Sequence, residues 1–167
     1  MYSAIIYSSL TGSCEKYAKL LSDELGIPAF RFGVDKVSTN LKVIYIGWLC
    51  AGKIKGYRKA SKRFNIGAVV QVGMSPVSAE TESAGRAANS VSPDVPLFCL
   101  QGGFDMSKLP IYMRPVMKSI NRSTLEKLGK KPVLNEQEKA LMKMASDGVG
   151  EPADRDVSDI VEWCRAH

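Results

Sequence analysis

Apolar residues along this chain fall into short continuous runs, and stretches with helical spacing of apolar positions separate these runs. The runs predict five strands, at 2–8, about 28–33, 42–49, 66–73 and 95–101. The stretches between and after them predict helices at about 14–25, 54–64, 79–90, 110–128, 135–146 and 154–165. Strands that are apolar on both faces and alternate with helices predict an α/β fold, with a parallel sheet covered on both sides.

The length and composition agree with one globular domain. The chain has 167 residues, of which 45% are hydrophobic and 24% charged, and it shows no repeat or long linker, so we expect a single domain over 1–167. No apolar run approaches the roughly 18 residues of a membrane helix. Residues 1–7 lack the basic region and cleavage site of a signal peptide. A cytoplasmic location is therefore expected.

The cysteines favour neither a metal site nor a disulfide framework. Cys14, Cys50, Cys99 and Cys164 form no CxxC pair, and the one histidine is His167. Zinc sites need several such ligands at short, regular spacings. We therefore predict no metal.

The loop after the first strand carries hydroxyl groups and leads directly into a helix. Ser8, Ser9, Thr11 and Ser13 surround Gly12. Free backbone N–H groups and a partial positive charge make a helix N-terminus suited to a phosphate. Neither GxGxxG nor a Walker lysine is present, which disfavours dinucleotides and nucleoside triphosphates. The alternative is an ordinary serine or threonine cap on a helix.

The loop after the third strand, residues 47–53, has two glycines and small side chains, which leave space for a flat ring. Trp48 either stacks on that ring or points into the core, and its place at the strand end slightly favours the core. In an open parallel sheet, ligands bind beyond the carboxyl ends of the strands, where this loop lies.

The loop after the fifth strand, Gln101-Gly102-Gly103-Phe104-Asp105, also suits a planar ligand. An exposed Phe104 can stack on a ring, and Asp105 can accept hydrogen bonds from ligand N–H groups. The alternative is a tight turn with no ligand.

Together these loops resemble the flavodoxin family. The segment 9–14 is similar to the phosphate-loop pattern Ser/Thr-x-Thr-Gly-x-Thr, with Cys14 in place of the last threonine. In the loop after the third strand, Ala51 lies near the position where many flavodoxins have an aromatic residue. The resemblance implies a flavodoxin-like three-layer sandwich whose five-stranded parallel sheet has the order 2-1-3-4-5. It also implies bound flavin mononucleotide (FMN), held by Ser9, Leu10, Thr11, Gly12, Ser13, Cys14, Trp48, Leu49, Cys50, Ala51, Gly52, Gln101, Gly102, Gly103, Phe104 and Asp105.

A narrower likeness covers residues 101–110 with Tyr112, Arg114, Met117 and Lys118. This segment resembles the flavodoxin-domain branch that includes the quinone-linked bacterial protoporphyrinogen oxidase, whose members have a basic, Met-rich helix after the fifth strand.

The segment 106–131 carries an excess of cations equal to the net charge of +6 of the whole chain. Within it Met113, Val116, Met117 and Ile120 form an apolar stripe, and Arg114, Lys118 and Arg122 follow at steps of four. The basic row suggests an acidic redox partner, an anionic substrate or an anionic membrane surface. The alternative is a helix packed on the core with a solvated face. No nucleic-acid-binding motif is visible.

Three functions stay open at this point. The first is an FMN protein that transfers electrons to a redox partner protein or acts as a small flavin reductase on a small-molecule substrate, because no catalytic acid or base stands out and the chemistry then belongs to the flavin. The second is a membrane-surface enzyme for a quinone or a porphyrinogen. The third is a flavodoxin-like binding module without flavin.

Overall fold

Five parallel strands form the centre of the computed structural model, which describes residues 1–152 and 155–167. The described residues contain eight strands in all, and the five parallel ones are β1, β2, β3, β5 and β6. The eight strands are β1 (Ala4–Ser8), β2 (Ala29–Arg31), β3 (Lys42–Cys50), β4 (Lys53–Ile54), β5 (Asn65–Gly73), β6 (Leu97–Gln101), β7 (Phe104–Asp105) and β8 (Val149–Gly150). The parallel strands have the order β2-β1-β3-β5-β6, and β4 pairs antiparallel with the end of β3. Among the parallel strands this is the order 2-1-3-4-5, which confirms the predicted flavodoxin-like fold.

Helices flank this sheet. They are α1 (Ser13–Leu25), α2 (Tyr57–Ala60), α3 (Ala79–Asn89), α4 (Arg114–Leu128), α5 (Glu136–Asp147) and α6 (Ser158–Ala166). Within the described residues, no helix is both long enough and apolar enough to span a membrane.

Both faces of the sheet are buried, which explains why its strands read as continuous apolar runs. On one face Ile44 and Ile46 of β3 pack with Tyr17 of α1 and Ile160 of α6. On the other face Tyr45 packs in a second cluster that includes residues of α2. Adjacent side chains of a strand point to opposite faces, so a strand buried on both sides has no polar alternation.

Three predicted helices differ from the structure. The predicted helix over 54–64 is wrong for most of its length, because this segment contains the end of β4 and only four residues of helix α2. The helix predicted from 110 begins at Arg114, after two 3-10 turns; Pro115 fits only the first turn of a helix. Residue 154, where the last helix was expected to begin, lies outside the described residues.

A unit of which the sequence predicted the two helices but not the strands lies between β6 and α6. The two-residue strands β7 and β8 pair antiparallel, with Phe104 opposite Gly150. Helices α4 and α5 connect them and pack on each other through a third cluster that contains Leu128, Leu141 and Met144. Strands this short leave no periodic signal in a sequence, so only the folded chain reveals them.

A two-residue turn joins β3 to β4. Cys50 pairs with Lys53, and the residues between them, Ala51 and Gly52, have φ of 50° and 76°. Positive φ at both positions is the hallmark of a type I′ hairpin turn, for which asparagine and glycine are preferred. Ala51 is therefore strained, because its Cβ disfavours the left-handed conformation.

We expect Ala51→Asn to raise the free energy of unfolding by about 0.5–1 kcal/mol, since asparagine tolerates this conformation better than alanine. Ala51→Val is the matched control and should lower it, because a β-branched side chain fits a positive φ poorly. Urea unfolding measures both. Equal stability of the two variants would contradict the assigned turn.

Candidate functional site

The three predicted loops meet at one edge of the sheet. Parallel pairing places Ser8, the end of β1, beside Gly47 of β3, so the loops that follow these strands leave the sheet together. A cavity of about 90 Å³ lies between them. Residues of all three loops line it: Ser9, Leu10, Thr11, Ser13, Cys14, Trp48, Leu49, Gly102, Gly103 and Phe104.

A larger groove of about 1180 Å³ adjoins this cavity. Its walls are the β3–β4 hairpin with Cys50, Ala51 and Gly52, the loop after β5, the face of α3 and the apolar side of α4. Lys55 is the one lysine or arginine in its described lining. The small cavity and the groove share Leu10, Trp48 and Leu49, so one ligand can extend from one into the other.

The first loop leaves a helix N-terminus without a side-chain cap. Gly12 adopts a φ of 101° immediately before α1, and no described side chain caps that helix. Ser9 Oγ instead accepts from the backbone N–H of Gly12, at 3.2 Å. The first N–H groups of α1 have no partner within a helix and are free to bind an anion. Arg31 adds a positive charge here, because its Nη2 donates to the carbonyl of Ser9 at 3.1 Å.

Two predicted phosphate ligands turn their side chains inward. Ser13 Oγ donates to the carbonyl oxygen of Gly103 at 2.7 Å, in a buried hydrogen bond that joins the first and last loops. Cys14 is 1% exposed and packs in the core, where burial raises the pKa of its thiol to about 12. Both residues therefore offer a phosphate only their backbone N–H groups.

Trp48 lines both the small cavity and the groove. It is half-buried and packs partly on the core, so the core interpretation is only partly right. The ammonium of Lys55 lies 5.7 Å from the centre of its ring. Trp48 thus supplies an aromatic wall next to a cation.

The last loop differs from expectation at three side chains. Phe104 is not exposed: it is 5% accessible and packs in the cluster of α4 and α5. The carboxylate of Asp105 accepts from the N–H and hydroxyl of Ser107, and these bonds lower the pKa of Asp105. Gln101 is buried and donates its amide to the carbonyls of Met74 and Gln137. All three side chains serve the fold here.

The two glycines of this loop are needed by the chain itself. A Cβ on Gly102 would lie 2.7 Å from Val72, and one on Gly103 would lie 2.5 Å from the carbonyl oxygen of Gly150. The backbone oxygen cannot move aside easily, so β8 can approach this loop only where position 103 is glycine.

The apolar stripe of α4 faces the groove. Val116 and Ile120 are 59% and 48% exposed and line it with Met113 and Met117, so α4 is not simply packed on the core. The predicted basic row is absent from this lining. Arg114 donates to the carbonyls of Ser107 and Leu109, and Arg122 pairs with Glu126.

Several lining residues escaped the sequence reasoning. Gly73, the last residue of β5, and Met74 after it line both cavities, and Thr81 and Gly85 of α3 line the groove. The loop after β5 leaves the carboxyl edge of the sheet, so the topology rule that selected the other loops also identifies this one. No pattern in the sequence indicated that one face of α3 lines the groove.

No family model matches this chain, and neither the curated proteins nor the solved structures include a significant match to it. The structure also shows no cluster of three potential metal ligands within residues 1–152 and 155–167. The four cysteines are free thiols.

Ser13→Ala should lower the free energy of unfolding by about 1–3 kcal/mol, because it leaves the buried carbonyl of Gly103 without its donor. Chemical denaturation measures the loss. Ser3→Ala, at an exposed residue, is the control and should change stability little. A Ser13 variant as stable as its control would contradict the role given to this hydroxyl.

At pH 8 we expect a thiol reagent to modify the half-buried Cys50 well before Cys14. The thiolate is the reactive form, and burial holds the pKa of Cys14 near 12, so this thiol stays protonated until far more alkaline pH. Mass spectrometry of peptides from the labelled folded protein distinguishes the sites. Equal reaction rates of Cys14 and Cys50 would contradict the expectation. In the control Cys50→Ser, the rapidly labelled peptide should disappear, which identifies Cys50 as the fast site.

Proposed function

We propose that this protein binds FMN at the carboxyl edge of its sheet and transfers electrons through it. The proposal rests on two neighbouring features, an uncapped helix N-terminus and an apolar groove. They meet between β1 and β3, where the strand order of the sheet reverses. Open α/β sheets bind their ligands at this position. A phosphate at one end and a flat apolar ring at the other match these two features.

The phosphate end rests mainly on backbone groups. Ser13 and Cys14 supply the first backbone N–H groups of α1, and Thr11 lines the small cavity. Arg31, held against the carbonyl of Ser9, balances part of the phosphate charge. The residues present fit a phosphate monoester even though two of the expected side-chain donors point inward.

The ring end is formed by apolar surfaces. Leu10, Trp48, Leu49, Met113 and Met117 line both cavities and exclude water from one side of a ring. FMN, when bound, supplies one- and two-electron chemistry. No histidine or carboxylate belongs to the described lining of either cavity, which favours electron transfer over acid–base catalysis.

A second candidate is a flavodoxin-like binding module without flavin. The glycines of the last loop and the hydroxyl of Ser13 are engaged with the chain itself, which removes part of the reason for assigning them to a ligand. The absorption spectrum of the protein after mixing with FMN distinguishes the two candidates.

The purified protein mixed with FMN should show flavin absorption bands that remain with it through gel filtration. Riboflavin, which lacks the phosphate, should bind more weakly. Absence of flavin bands after mixing would contradict the proposal and favour the binding module.

Thr11→Val should weaken FMN binding about tenfold or more, because a hydrogen bond to a charged phosphate contributes about 1.5–3 kcal/mol. Its effect on riboflavin binding should be small. Thr39→Val, at an exposed site on the loop before β3, is the matched control. Equal loss of FMN and riboflavin affinity would show that Thr11 does not contact the phosphate.

A further inference from the structure

The outer part of the groove lies between two helices that do not pack on each other. Tyr112, in the 3-10 turn before α4, forms one row at steps of four with Val116 and Ile120 of α4, and these residues are 78%, 59% and 48% exposed. Such a row is the part of a helix that normally packs into a neighbouring helix. Within the described chain, no helix covers it.

The opposite wall belongs to α3 and is made of small residues. Thr81, Ala84, Gly85 and Ala88 line the groove at helical spacing. Small side chains allow another helix to approach closely, and helices pack with their axes 8–10 Å apart. The two walls therefore form a slot suited to one added helix. Gly85 itself is buried against Gln71 of β5, so the accessible part of this wall consists of Thr81, Ala84 and Ala88.

The charge around this slot is strongly asymmetric. Residues 53–63 contain six lysines and arginines and no acid, and residues 106–131 contain seven with Glu126 as the one acid. The rest of the chain carries more acids than cations. Both basic segments border the groove, one through the hairpin and the other through α4. Such a field attracts an anionic partner and orients it before contact.

One exposed lysine from each basic segment lies on or towards the groove. Lys55 lines the groove, and Lys127 lies seven positions after Ile120, on the same side of α4. Both are exposed, and neither has an acidic partner among residues 1–152 and 155–167. The acids of α3, Glu80 and Glu82, are absent from the described lining, and Glu82 faces Arg86.

We infer that this groove docks an acidic amphipathic helix of a partner protein, with apolar residues seated between α3 and α4 and carboxylates against the flanking lysines. The docked helix would lie next to the proposed flavin site, and the inference rests on the proposed function for its role in electron transfer. The binding itself requires no flavin.

The test uses a fluorescein-labelled helical peptide of leucine and glutamate with leucines along one face. A leucine–lysine peptide of the same pattern and a scrambled leucine–glutamate peptide are the controls. Fluorescence anisotropy should show saturable binding of the acidic amphipathic peptide, weakened by salt. Absence of binding, or equal binding of the basic or scrambled peptide, would overturn the inference.

The apolar anchors are tested by the double variant Val116→Ser/Ile120→Ser. Peptide affinity should fall about tenfold or more, as expected when central apolar anchors are lost. Val133→Ser, at a valine that is 80% exposed and outside the described lining, is the control and should change nothing. Ala84→Trp should also abolish binding by filling the slot from the α3 side. Unchanged affinity in the folded double variant and in Ala84→Trp would overturn the inference.

The charge contribution is tested by Lys55→Glu/Lys127→Glu against Lys19→Glu/Lys143→Glu. The two variants change the net charge equally, but only the first alters Lys55 in the groove lining and a lysine on the groove side of α4. The affinity for the acidic peptide should fall more in Lys55→Glu/Lys127→Glu than in Lys19→Glu/Lys143→Glu, and salt should weaken its remaining binding less. Equal losses would show that net charge alone drives binding and would overturn the assigned site.

Two further outcomes separate the possibilities. If phosphatidylglycerol vesicles bind with the same sensitivity to these variants and the peptide does not compete, the surface binds membrane and the inference is wrong. Peptide binding at the groove in a protein that takes up no FMN would support this inference and contradict the proposed function. Flavin bands in a protein that does not bind the peptide would support the proposed function and contradict this inference.

Discussion

The parallel pairing of β1 with both β2 and β3 is the constraint on which this molecule depends. It places the ends of β1 and β3 side by side, and the helices that follow these two strands, α1 and α2, pack in the clusters on opposite faces of the sheet. The first loop and the hairpin must therefore leave at one edge, with a gap between them. The phosphate-suited helix start and the apolar groove both follow from this gap.

The buried hydrogen bond from Ser13 to Gly103 connects the carboxyl edge of the sheet to the unit formed by β7, α4, α5 and β8. It joins the start of α1 to the loop that enters β7, and the missing side chain at Gly103 lets β8 pack against the same loop. Helices α4 and α5 are carried by this short pairing and by their own apolar cluster. The far wall of the groove therefore depends on a few contacts near the candidate phosphate site.

Charge and apolar surface are arranged separately on α4. The predicted basic row is engaged partly with backbone carbonyls and with Glu126, outside the groove lining, whereas the apolar row borders the groove. The one lysine or arginine in the described groove lining, Lys55, instead follows the β3–β4 hairpin. An added helix can thus contact apolar side chains at the centre and cations at the periphery, as in other protein interfaces.

The sequence by itself determined the strands, their parallel arrangement, and the loops that meet at the carboxyl edge, because buried runs and helical spacing are local signals. Tertiary structure alone decided where side chains point. Ser13 and Phe104 occupy suitable loops, yet distant residues turn the hydroxyl towards Gly103 and bury the ring beneath α4 and α5. The β7–β8 pairing and the slot beside α3 were likewise absent from any local pattern, since they arise from contacts between residues far apart in the chain.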